Sequence, residues 1–440
     1  MEKVKWGILG TAKIARGAAI PGMQLAESCD LYAIAGRSAE KAARFAEEFG
    51  FTRSYGSYED LVADPEVQAV YIPLPNHLHL KWVLAALKAG KHVLCEKPLA
   101  LNAAEAEEMY RTAAECGVHL MEAYAYLHSP YVASLKQDLQ SGIIGEVDYI
   151  ETAFVTQSYK EDFRLHKEFG GGAMYDLGCY CTTLLLSLTD SDPVFVKAVA
   201  EFTDPGVDCQ TAAILRFENG IRAAFNVGMA LGEDSNARFD RLYIHGTKGS
   251  IRSDVEYNQS GALSYRIFTA DGVTEKTVQV PQNYALEAEQ LSRCILCGEK
   301  PLITPEFSLK NARLIDRVLR EIGYSTENGG NAKMYCEKCC HIIEGDRCPV
   351  CKSRKVRKPE AKDICFLTEQ DYLSSGILED LLKQNGIPAL KKDVMGAGMA
   401  IRVGPMLEYS RFYVPFEHLE AAKAIVDDLF SDARGEITEQ

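Results

Sequence analysis

The 440-residue sequence predicts an α/β domain with a parallel sheet, then an α+β domain with an open antiparallel sheet, and two small C-terminal units. Three observations predict this order. Short apolar runs alternate with amphipathic stretches up to about residue 122, and strand-like runs joined by short turns fill residues 146–280. Five of the 14 cysteines lie between Cys336 and Cys351, which marks a separate region.

The first domain is predicted at residues 1–122. Nearly continuous apolar strands that alternate with amphipathic helices are typical of a parallel sheet covered on both faces. The helices are expected at residues 12–25, 39–49 and 80–89, with one more before the last strand. The strands are expected at residues 4–9, 31–35, 69–72, 92–95 and 118–121.

The second domain is predicted at residues 123–324, where short turns between strand-like runs indicate antiparallel pairing. These runs lie at residues 146–155, 194–202, 211–218, 220–228, 241–246 and 263–270, and helical spacing returns at 283–296 and 308–322. A polar, glycine-containing linker follows at residues 325–333. The cysteine cluster with a basic run (334–360) and a small α+β unit (361–440) complete the chain.

Charge and hydropathy exclude two classes of partner. The net charge of −14 disfavours nucleic acid, because phosphate binding needs clustered positive charge. No apolar run approaches the roughly 20 residues of a membrane span, and the N-terminus lacks the regions of a signal peptide. We therefore expect a cytoplasmic protein without a membrane partner.

The stretch "WGILGTAKIARGA" follows the first strand and opens the first helix. A dinucleotide-binding turn needs three small residues, for a tight turn, close approach to pyrophosphate, and helix–strand packing. Gly10, Ala12 and Ala15 occupy these places, so the match is degenerate at Ala12. In its strand-turn-helix context the stretch predicts a dinucleotide cofactor, and an ordinary glycine turn is the alternative.

The end of the second strand favours NADP, with NAD as the alternative. NAD sites place a carboxylate there to hold the ribose hydroxyls. This chain has none, and Arg37, with Ser38 and Lys41 nearby, suits a 2′-phosphate. A solvated arginine at a helix start is the competing interpretation.

After the next strand, at residues 69–72, "YIPLPNHLHLKW" places Pro75, Asn76 and His79 at the strand's carboxyl end. Ligands bind at that edge of such sheets, so Asn76 and His79 are expected to contact the cofactor. A proline-rich turn with Asn76 as a helix N-cap is compatible with this role.

In "KHVLCEKPLAL", Lys97 ends a strand on the same edge. Asp176 and Tyr180, four residues apart after the glycine run 170–172, share one helix face. Three glycines would let backbone approach a ligand closely. Beside Lys97, the pKa of Tyr180 would fall far enough for the phenol to remove a substrate proton, or Lys97 would itself accept a proton once its own pKa is depressed. Asp176 would orient the substrate or tune Lys97. The alternatives are a surface Lys97 paired with Glu96, and a core tyrosine.

The cysteine cluster contains Cys336-x2-Cys339 and, eight residues later, Cys348-x2-Cys351. Two such pairs supply four thiolates that surround one zinc ion tetrahedrally. We expect a structural zinc ribbon, because so short and polar a segment has little core of its own. The basic run 352–358 is interpreted as a solvated linker.

The motifs "GILGTAKIA", "YIPLPN.LH", "AGKHVLCEKPLAL", "MEAYAY", "GEV", "GGGAMYDLGCY" and "GTKGSI" stand in the order found in the Gfo/Idh/MocA oxidoreductases. The chain resembles this family from residue 1 to about 324. The resemblance implies a Rossmann domain and a cis Lys97–Pro98 peptide. It also implies an open-sheet domain whose outer face makes a homodimer or higher homo-oligomer.

The same resemblance implies residue roles. Many inositol-type relatives carry histidine where this chain has Tyr180. A tyrosine at this place resembles the NADP-dependent branch that contains the dihydrodiol and xylose dehydrogenases. Lys97 and Tyr180 are then catalytic. We expect a catalytic role for Asp176 as well, and substrate contact by Tyr124 and Asp176. Relatives often have an arginine after "EAY" that this chain lacks, and Arg164 and His166 are expected to substitute for it. Implied cofactor contacts are Gly10, Thr11, Ala12, Ile14, Arg37, Ser38, Lys41, Pro75, Asn76, His79, Glu96 and Lys97.

Residues 361–440 resemble, loosely, a small ferredoxin-like domain known as a signal-transducing module beside zinc ribbons. We therefore expect an NADP-dependent dehydrogenase acting on a sugar, cyclic polyol or trans-dihydrodiol. The alternatives are a transhydrogenase that retains its cofactor, and a sugar or redox sensor whose C-terminal tail binds a protein partner.

Overall fold

The computed structural model describes residues 2–157, 162–203, 206–231, 238–324, 334–343, 348, 350–394 and 409–430. The chain divides into two compact units, residues 1–326 and 327–440. The predicted linker at residues 325–333 lies outside the described residues. In the described part of the chain, no helix combines the length and apolarity needed to cross a membrane.

The first sheet of the first unit is parallel and has six strands. They are β1 (Val4–Leu9), β2 (Cys29–Ala35), β3 (Arg53–Tyr55), β4 (Ala69–Ile72), β5 (His92–Glu96) and β6 (Leu120–Ala123). Their order β3-β2-β1-β4-β5-β6 reverses next to β1, so a crevice opens at the carboxyl ends of β1 and β4. The predicted parallel sheet is confirmed. The apolar pattern missed β3, whose residues are exposed or half-buried.

Helices complete this layer: a π-helical turn (Ala15–Ala19), α1 (Ile20–Leu25), α2 (Ala39–Phe49), α3 (Tyr58–Ala63), α4 (His79–Lys88) and α5 (Ala103–Cys116). Ser38, Ser57 and Asn102 begin α2, α3 and α5 by accepting a hydrogen bond from a backbone N–H. Trp6 packs into one hydrophobic cluster and Val70 into another, so both faces of the sheet are buried.

The second sheet has eight strands in the order β14-β13-β12-β11-β7-β10-β9-β8. They are β7 (Val147–Gln157), β8 (Pro193–Phe202), β9 (Asp208–Phe217), β10 (Arg222–Leu231), β11 (Arg238–Gly246), β12 (Gly249–Ser253), β13 (Gly261–Thr269) and β14 (Gly272–Val280). Every pair is antiparallel except β7 with β10, which is parallel. The antiparallel prediction therefore needs this one correction, because the antiparallel run β8-β9-β10 brings β10 back alongside β7.

The remaining helices of the first unit are α6 (Pro130–Gln140), α7 (Cys179–Thr189), α8 (Asn283–Cys297) and α9 (Pro305–Glu321). A π-helical turn, Met174–Gly178, leads into α7. The Trp6 indole on β1 donates a hydrogen bond to Ser292 on α8 at 3.1 Å, so residues far apart in sequence share one core. The boundary at residue 122 remains a prediction.

The second unit contains two three-stranded sheets. The first has the order β16-β15-β17, from β15 (Met334–Cys336), β16 (Ile342–Ile343) and β17 (Val356–Arg357). The second has the order β18-β20-β19, from β18 (Ile364–Asp371), β19 (Leu390–Val394) and β20 (Tyr409–Pro415), with α10 (Tyr372–Gln384) and α11 (Leu419–Phe430). Residues 395–408, between β19 and β20 in sequence, lie outside the described residues.

Candidate active site

A cleft of about 540 Å³ opens in the first unit where β1, β4 and β5 end. Its position matches the crevice that the strand order creates. Residues from the second sheet and from the loop before α7 close its other side. The predicted site residues that line it are Ala12, Ile14, Pro75, Asn76, Glu96, Lys97, Arg164, Asp176 and Tyr180.

The glycine turn after β1 is held to the end of β2. Gly10 has a φ of +115°, which favours glycine, and its N–H donates to the Ala35 carbonyl at 2.8 Å. Thr11 follows directly, and Ala12 and Ile14 face the cleft. The turn therefore presents a short stretch of backbone to the cleft, as a dinucleotide would require.

At the end of β2, Ser38 caps α2, its hydroxyl accepting from the Lys41 N–H at 3.3 Å. Arg37 and Lys41 are exposed. Among the described residues, Arg37 has no ion-pair partner. An exposed, uncommitted guanidinium at this strand end is compatible with an added phosphate.

Of the residues predicted in the turn after β4, two line the cleft and one does not. Pro75 and Asn76 line the cleft, and the Asn76 amide donates to the Gly170 carbonyl at 2.8 Å. His79 lies outside the cleft, fully buried, with its ring nitrogens 2.7 Å from the Leu74 carbonyl and 3.0 Å from the Pro98 carbonyl. His79 therefore does not line the cleft, and its expected cofactor contact stays a prediction. The imidazole instead supports the cleft wall from behind.

Lys97 is held by a buried ion pair with Asp176 and not by Glu96. Its ammonium donates to the Asp176 carbonyl at 2.7 Å and to the carboxylate Oδ1 at 3.0 Å. The other carboxylate oxygen of Asp176 lies 2.8 Å from Nε of Arg164, and Arg164 also pairs with Asp162 at 3.0 Å. The peptide bond Lys97–Pro98 is cis, as the resemblance implies.

These charges fix the protonation of the ion pair. Burial disfavours the Lys97 ammonium, but negative neighbours, Asp176 foremost, outweigh burial and raise the pKa of Lys97 above its usual value. Burial disfavours the Asp176 carboxylate too, yet Lys97 and Arg164 lower its pKa. Both groups therefore stay charged at neutral pH. The alternative in which Lys97 itself takes a proton, after its pKa is depressed, is wrong for this structure.

Tyr180 lies against Lys97, with the ammonium 4.7 Å from the centroid of the phenol ring. Its hydroxyl accepts a hydrogen bond from the Asn258 amide at 3.2 Å, and the same amide nitrogen donates to the Tyr284 hydroxyl at 3.3 Å. Tyr124, Tyr126, Phe154 and Tyr257 surround the ring. The phenol is therefore fixed on all sides except the cleft.

Burial, followed by the charge of Glu96, raises the pKa of Tyr180 well above its usual value. The expectation that Lys97 would lower this pKa is wrong here, because the carboxylate of Asp176 already balances the ammonium. Burial raises the pKa of Glu96 as well, although the Tyr71 hydroxyl donates to it. The phenol is therefore protonated at neutral pH.

Two predicted substrate residues lie outside the cleft. Tyr124 is fully buried, and its hydroxyl accepts from Asn311 at 3.1 Å. His166 is half exposed and lies 3.4 Å from Glu168. Tyr124 packs against Tyr180. Substrate contact by either residue stays a prediction.

The glycine run serves chain packing. Gly170 and Gly172 have φ values of +73° and +112°. A side chain at Gly171 would collide with the backbone of Arg164, and one at Gly172 with Asp208. The three glycines therefore let the loop fold tightly on itself, which brings Arg164 to the cleft, and close approach to a ligand is not their evident role.

Several cleft residues were missed by sequence reasoning, among them Arg238, Tyr257, Asn258 and Tyr284. Arg238 begins β11, and its guanidinium lies 4.4 Å from the centroid of the Phe154 ring. Asn258 has a φ of +62°, a conformation that asparagine tolerates better than most residues. An asparagine in the polar turn before β13 was the available signal, but nothing in the sequence shows which residues a turn faces.

In the second unit, the four predicted cysteines come together. The sulfur atoms of Cys336, Cys339, Cys348 and Cys351 all lie within 4.8 Å of one another, and two of the sulfur pairs are 3.5 Å apart. Tetrahedral zinc thiolates place sulfurs about 3.8 Å apart. The cluster could therefore hold a metal ion. Cys340 is not part of it, and its sulfur accepts from the Tyr335 hydroxyl at 3.3 Å.

Two family models match the chain. A model described as the oxidoreductase family with an NAD-binding Rossmann fold matches residues 4–124. A model of the GFO/IDH/MocA C-terminal domain matches residues 132–252.

Curated proteins are similar over more than two thirds of the chain. D-xylose 1-dehydrogenase (NADP(+)) 2 of Haloferax volcanii is 33% identical over 318 residues, covering 71% of this chain and 95% of that protein. Trans-1,2-dihydrobenzene-1,2-diol dehydrogenase of Xenopus tropicalis is 32% identical over 333 residues, covering 72% of this chain and 98% of that protein. About a quarter of this chain lies outside each alignment.

Among solved structures, a 3-ketoreductase from Actinomadura kijaniata in complex with NADP and TDP-benzene is similar. It shares 30% identity at a TM-score of 0.69, covering 73% of this chain and 98% of that one. The fold of this part of the chain therefore has a counterpart among solved structures.

Proposed function

The chain belongs to the Gfo/Idh/MocA oxidoreductase family and is an NAD(P)-dependent oxidoreductase, and from this premise we propose a specific reaction. Hydride passes between NADP and a hydroxyl-bearing carbon of a sugar, a cyclic polyol or a trans-dihydrodiol. Tyr180 acts as the general acid or base, and Lys97 assists it. The relatives named as xylose and dihydrodiol dehydrogenases support this substrate range.

The residues present fit a dinucleotide with a 2′-phosphate. The turn at Gly10 and Ala12 presents backbone to the cleft, and an added Cβ at Gly10 would press on Leu74 at 3.1 Å. Arg37 is exposed and has no ion-pair partner in the described part of the chain. When bound, NADP would accept or supply the hydride. Arg37 would hold the phosphate that distinguishes it from NAD.

Tyr180 donates the proton in reduction and accepts it in oxidation. Asn258 donates to its hydroxyl oxygen, so the phenol's own hydrogen is left to point into the cleft. In reduction the phenol gives this proton to the forming alkoxide, and in oxidation the phenolate takes it back. The neighbouring Lys97 ammonium stabilises the negative charge that the phenol acquires. Asp176 and Arg164 keep that ammonium in place.

The single observation that carries the proposal is the position of Lys97 and Tyr180 in one cleft at the carboxyl edge of the parallel sheet. The two residues are 83 positions apart in sequence, and no packing need of either domain requires an ammonium beside a buried phenol. A cleft of about 540 Å³ holds a monosaccharide or a dihydrodiol.

A spectrophotometric assay tests the proposal. The full chain is given NADP and a panel of aldoses, cyclic polyols and trans-dihydrodiols, and reduced cofactor is followed by absorbance. At least one substrate is expected to react, and Tyr180→Phe is expected to lower kcat/KM about 10²- to 10⁴-fold. Tyr131→Phe is the matched control, since the Tyr131 hydroxyl contacts Ser253 and the residue does not line this cleft. Full activity in Tyr180→Phe would exclude the phenol as the proton carrier.

We further propose that the second sheet forms a homodimer and that the cysteine cluster binds structural zinc. The strands of the second sheet carry apolar side chains that are at least half exposed: Val194, Val199, Ile214 and Val273. Their exposure supports an outer sheet face that a second copy of the chain covers. The compact arrangement of four sulfurs supports a tetrahedral ion that stabilises the second unit.

A further inference from the structure

Asn258 occupies a special place in the cleft wall. It lies between β12 and β13 with a φ of +62°, and its side chain faces the cleft. Few residues other than glycine adopt this conformation readily, and asparagine is among them. The backbone therefore fixes where the amide stands, and the amide in turn contacts two phenols from different elements, Tyr180 on α7 and Tyr284 on α8.

The direction of these two hydrogen bonds determines where the phenol protons point. In this structure the amide nitrogen of Asn258 faces both phenols, and its amide oxygen is buried without a hydrogen-bond partner among the described residues. An amide nitrogen donates and does not accept, so both phenol oxygens accept from it. Each phenol has a single hydrogen. No other partner of either hydroxyl is found within the described residues. Both hydrogens are consequently available to a molecule in the cleft, which both tyrosines line.

The two hydroxyls are also close to each other. Their oxygens lie 3.2 Å and 3.3 Å from the same nitrogen, so one small molecule can reach both. If the oxygen at the reacting carbon meets Tyr180, the oxygen on the adjacent carbon of a diol or hydroxyketone comes to Tyr284. A simple alcohol has no group for Tyr284 and would leave that donor unpaired.

We propose that Asn258 holds Tyr180 and Tyr284 as a pair of hydrogen-bond donors, and that Tyr284 selects substrates with a second oxygen beside the reacting carbon. This inference rests on the proposed role of Tyr180. Tyr284 is then a specificity-determining residue, and Asn258 is a positioning residue that acts through both phenols.

The test compares trans-cyclohexane-1,2-diol with cyclohexanol, which lacks only the second oxygen. Binding to the NADP-loaded full chain is measured by calorimetry, and turnover by absorbance. We expect the wild type to bind the diol more tightly, and Tyr284→Phe to remove about five- to tenfold of that preference. The change should fall on KM and not on kcat, because the second oxygen does not react. Tyr131→Phe, the matched control outside the cleft, should keep the preference.

Asn258 is tested by reversing the hydrogen bonds. In Asn258→Asp a carboxylate of the same shape accepts from both phenols, so their hydrogens turn away from the cleft. We expect Asn258→Asp to lower kcat and the diol preference more than Asn258→Ala does. A residue that merely fills space would give the opposite order, with the alanine variant worse.

The outcomes separate this inference from the proposed function. Turnover without a diol preference, or a preference that survives Tyr284→Phe, overturns the inference and leaves the proposed function standing. A binding preference that Tyr284→Phe abolishes, with no turnover of either compound or of the wider panel, supports the inference and overturns the proposed function. If the protein shows neither a binding preference for the diol nor turnover, the inference and the proposed function are both overturned.

Discussion

The ammonium of Lys97 lies 4.7 Å from the centroid of the Tyr180 ring and meets the face of the phenol, while its hydrogen bonds go to Asp176. Lys97 therefore does not exchange a proton with the Tyr180 hydroxyl through a direct hydrogen bond. Its influence is electrostatic, exerted through the ring and strengthened by the low dielectric of a buried site. This arrangement favours the phenolate once it forms, without ionising the phenol at rest.

Removing the charge of Lys97 should therefore slow the reaction while the fold persists. We expect Lys97→Met to lower kcat/KM about 100-fold, because the negative charge on the phenol loses its closest counter-charge. Arg164 remains to pair with Asp176, so the melting temperature should change little. Steady-state kinetics and circular dichroism measure both. Lys81→Met, on an exposed lysine against Trp82, is the control, and equal activity in both variants would contradict the prediction.

The pH dependence should differ between the two directions of the reaction. The raised pKa of Tyr180 keeps the phenol protonated, so kcat/KM for reduction should stay level from about pH 6 to 9. For oxidation the phenolate is required, so kcat/KM should climb with pH and reach no plateau below about pH 10. A plateau of the oxidation profile near neutral pH would contradict this assignment.

Two charged neighbours of Tyr180, Lys97 and Asp176, do not alter the pH profile of the reaction. The pKa of Lys97 is raised and that of Asp176 is lowered, so neither group changes charge across this window. Glu96 is the exception, since burial raises its pKa toward the window. Profiles measured in Glu96→Gln isolate the contribution of Tyr180, and they should keep the difference between the two directions.

Arg37 should decide the choice of cofactor. A charge-assisted hydrogen bond to a 2′-phosphate contributes about 1.5–3 kcal/mol, so Arg37→Ala should weaken NADPH binding about 10- to 100-fold. NADH binding should be unchanged, because NADH has no 2′-phosphate. Fluorescence titration measures both affinities. Arg44→Ala removes another exposed arginine, on α2, and should leave them unaltered. An equal loss of affinity for NADPH and NADH would show that Arg37 does not bind the 2′-phosphate.

The cysteine cluster should carry one zinc ion per chain. Elemental analysis of the purified full chain is expected to find it, and Cys336→Ser should lose it, since four thiolates share the ion. Chelation should unfold the ribbon around the four cysteines, because binding energy replaces the core that so small a ribbon lacks. Cys340→Ser removes a nearby sulfur outside the cluster and should keep the metal. Dehydrogenase activity should survive in both variants; a metal-free wild type would refute the zinc site.

Sequence and structure agree where local pattern governs. Three features could be predicted from short sequence signatures. They are the apolar strand at 92–95, the glycine turn with positive φ at Gly10, and the four paired cysteines. The antiparallel prediction missed the parallel pairing of β7 with β10, since partner choice among strands depends on where the intervening chain returns.

The sequence by itself determined which groups could do chemistry: an ammonium at a strand end, a phenol on a helix and four thiolates. Only the tertiary structure decided what each group meets. It buried His79 behind the cleft and Tyr124 behind Tyr180, and it brought Asn258 and Tyr284 to the phenol from distant turns. The physical reason is that a charge or a hydrogen bond acts over a few ångströms of space, whatever the separation along the chain. Packing of two sheets against shared helices sets those distances.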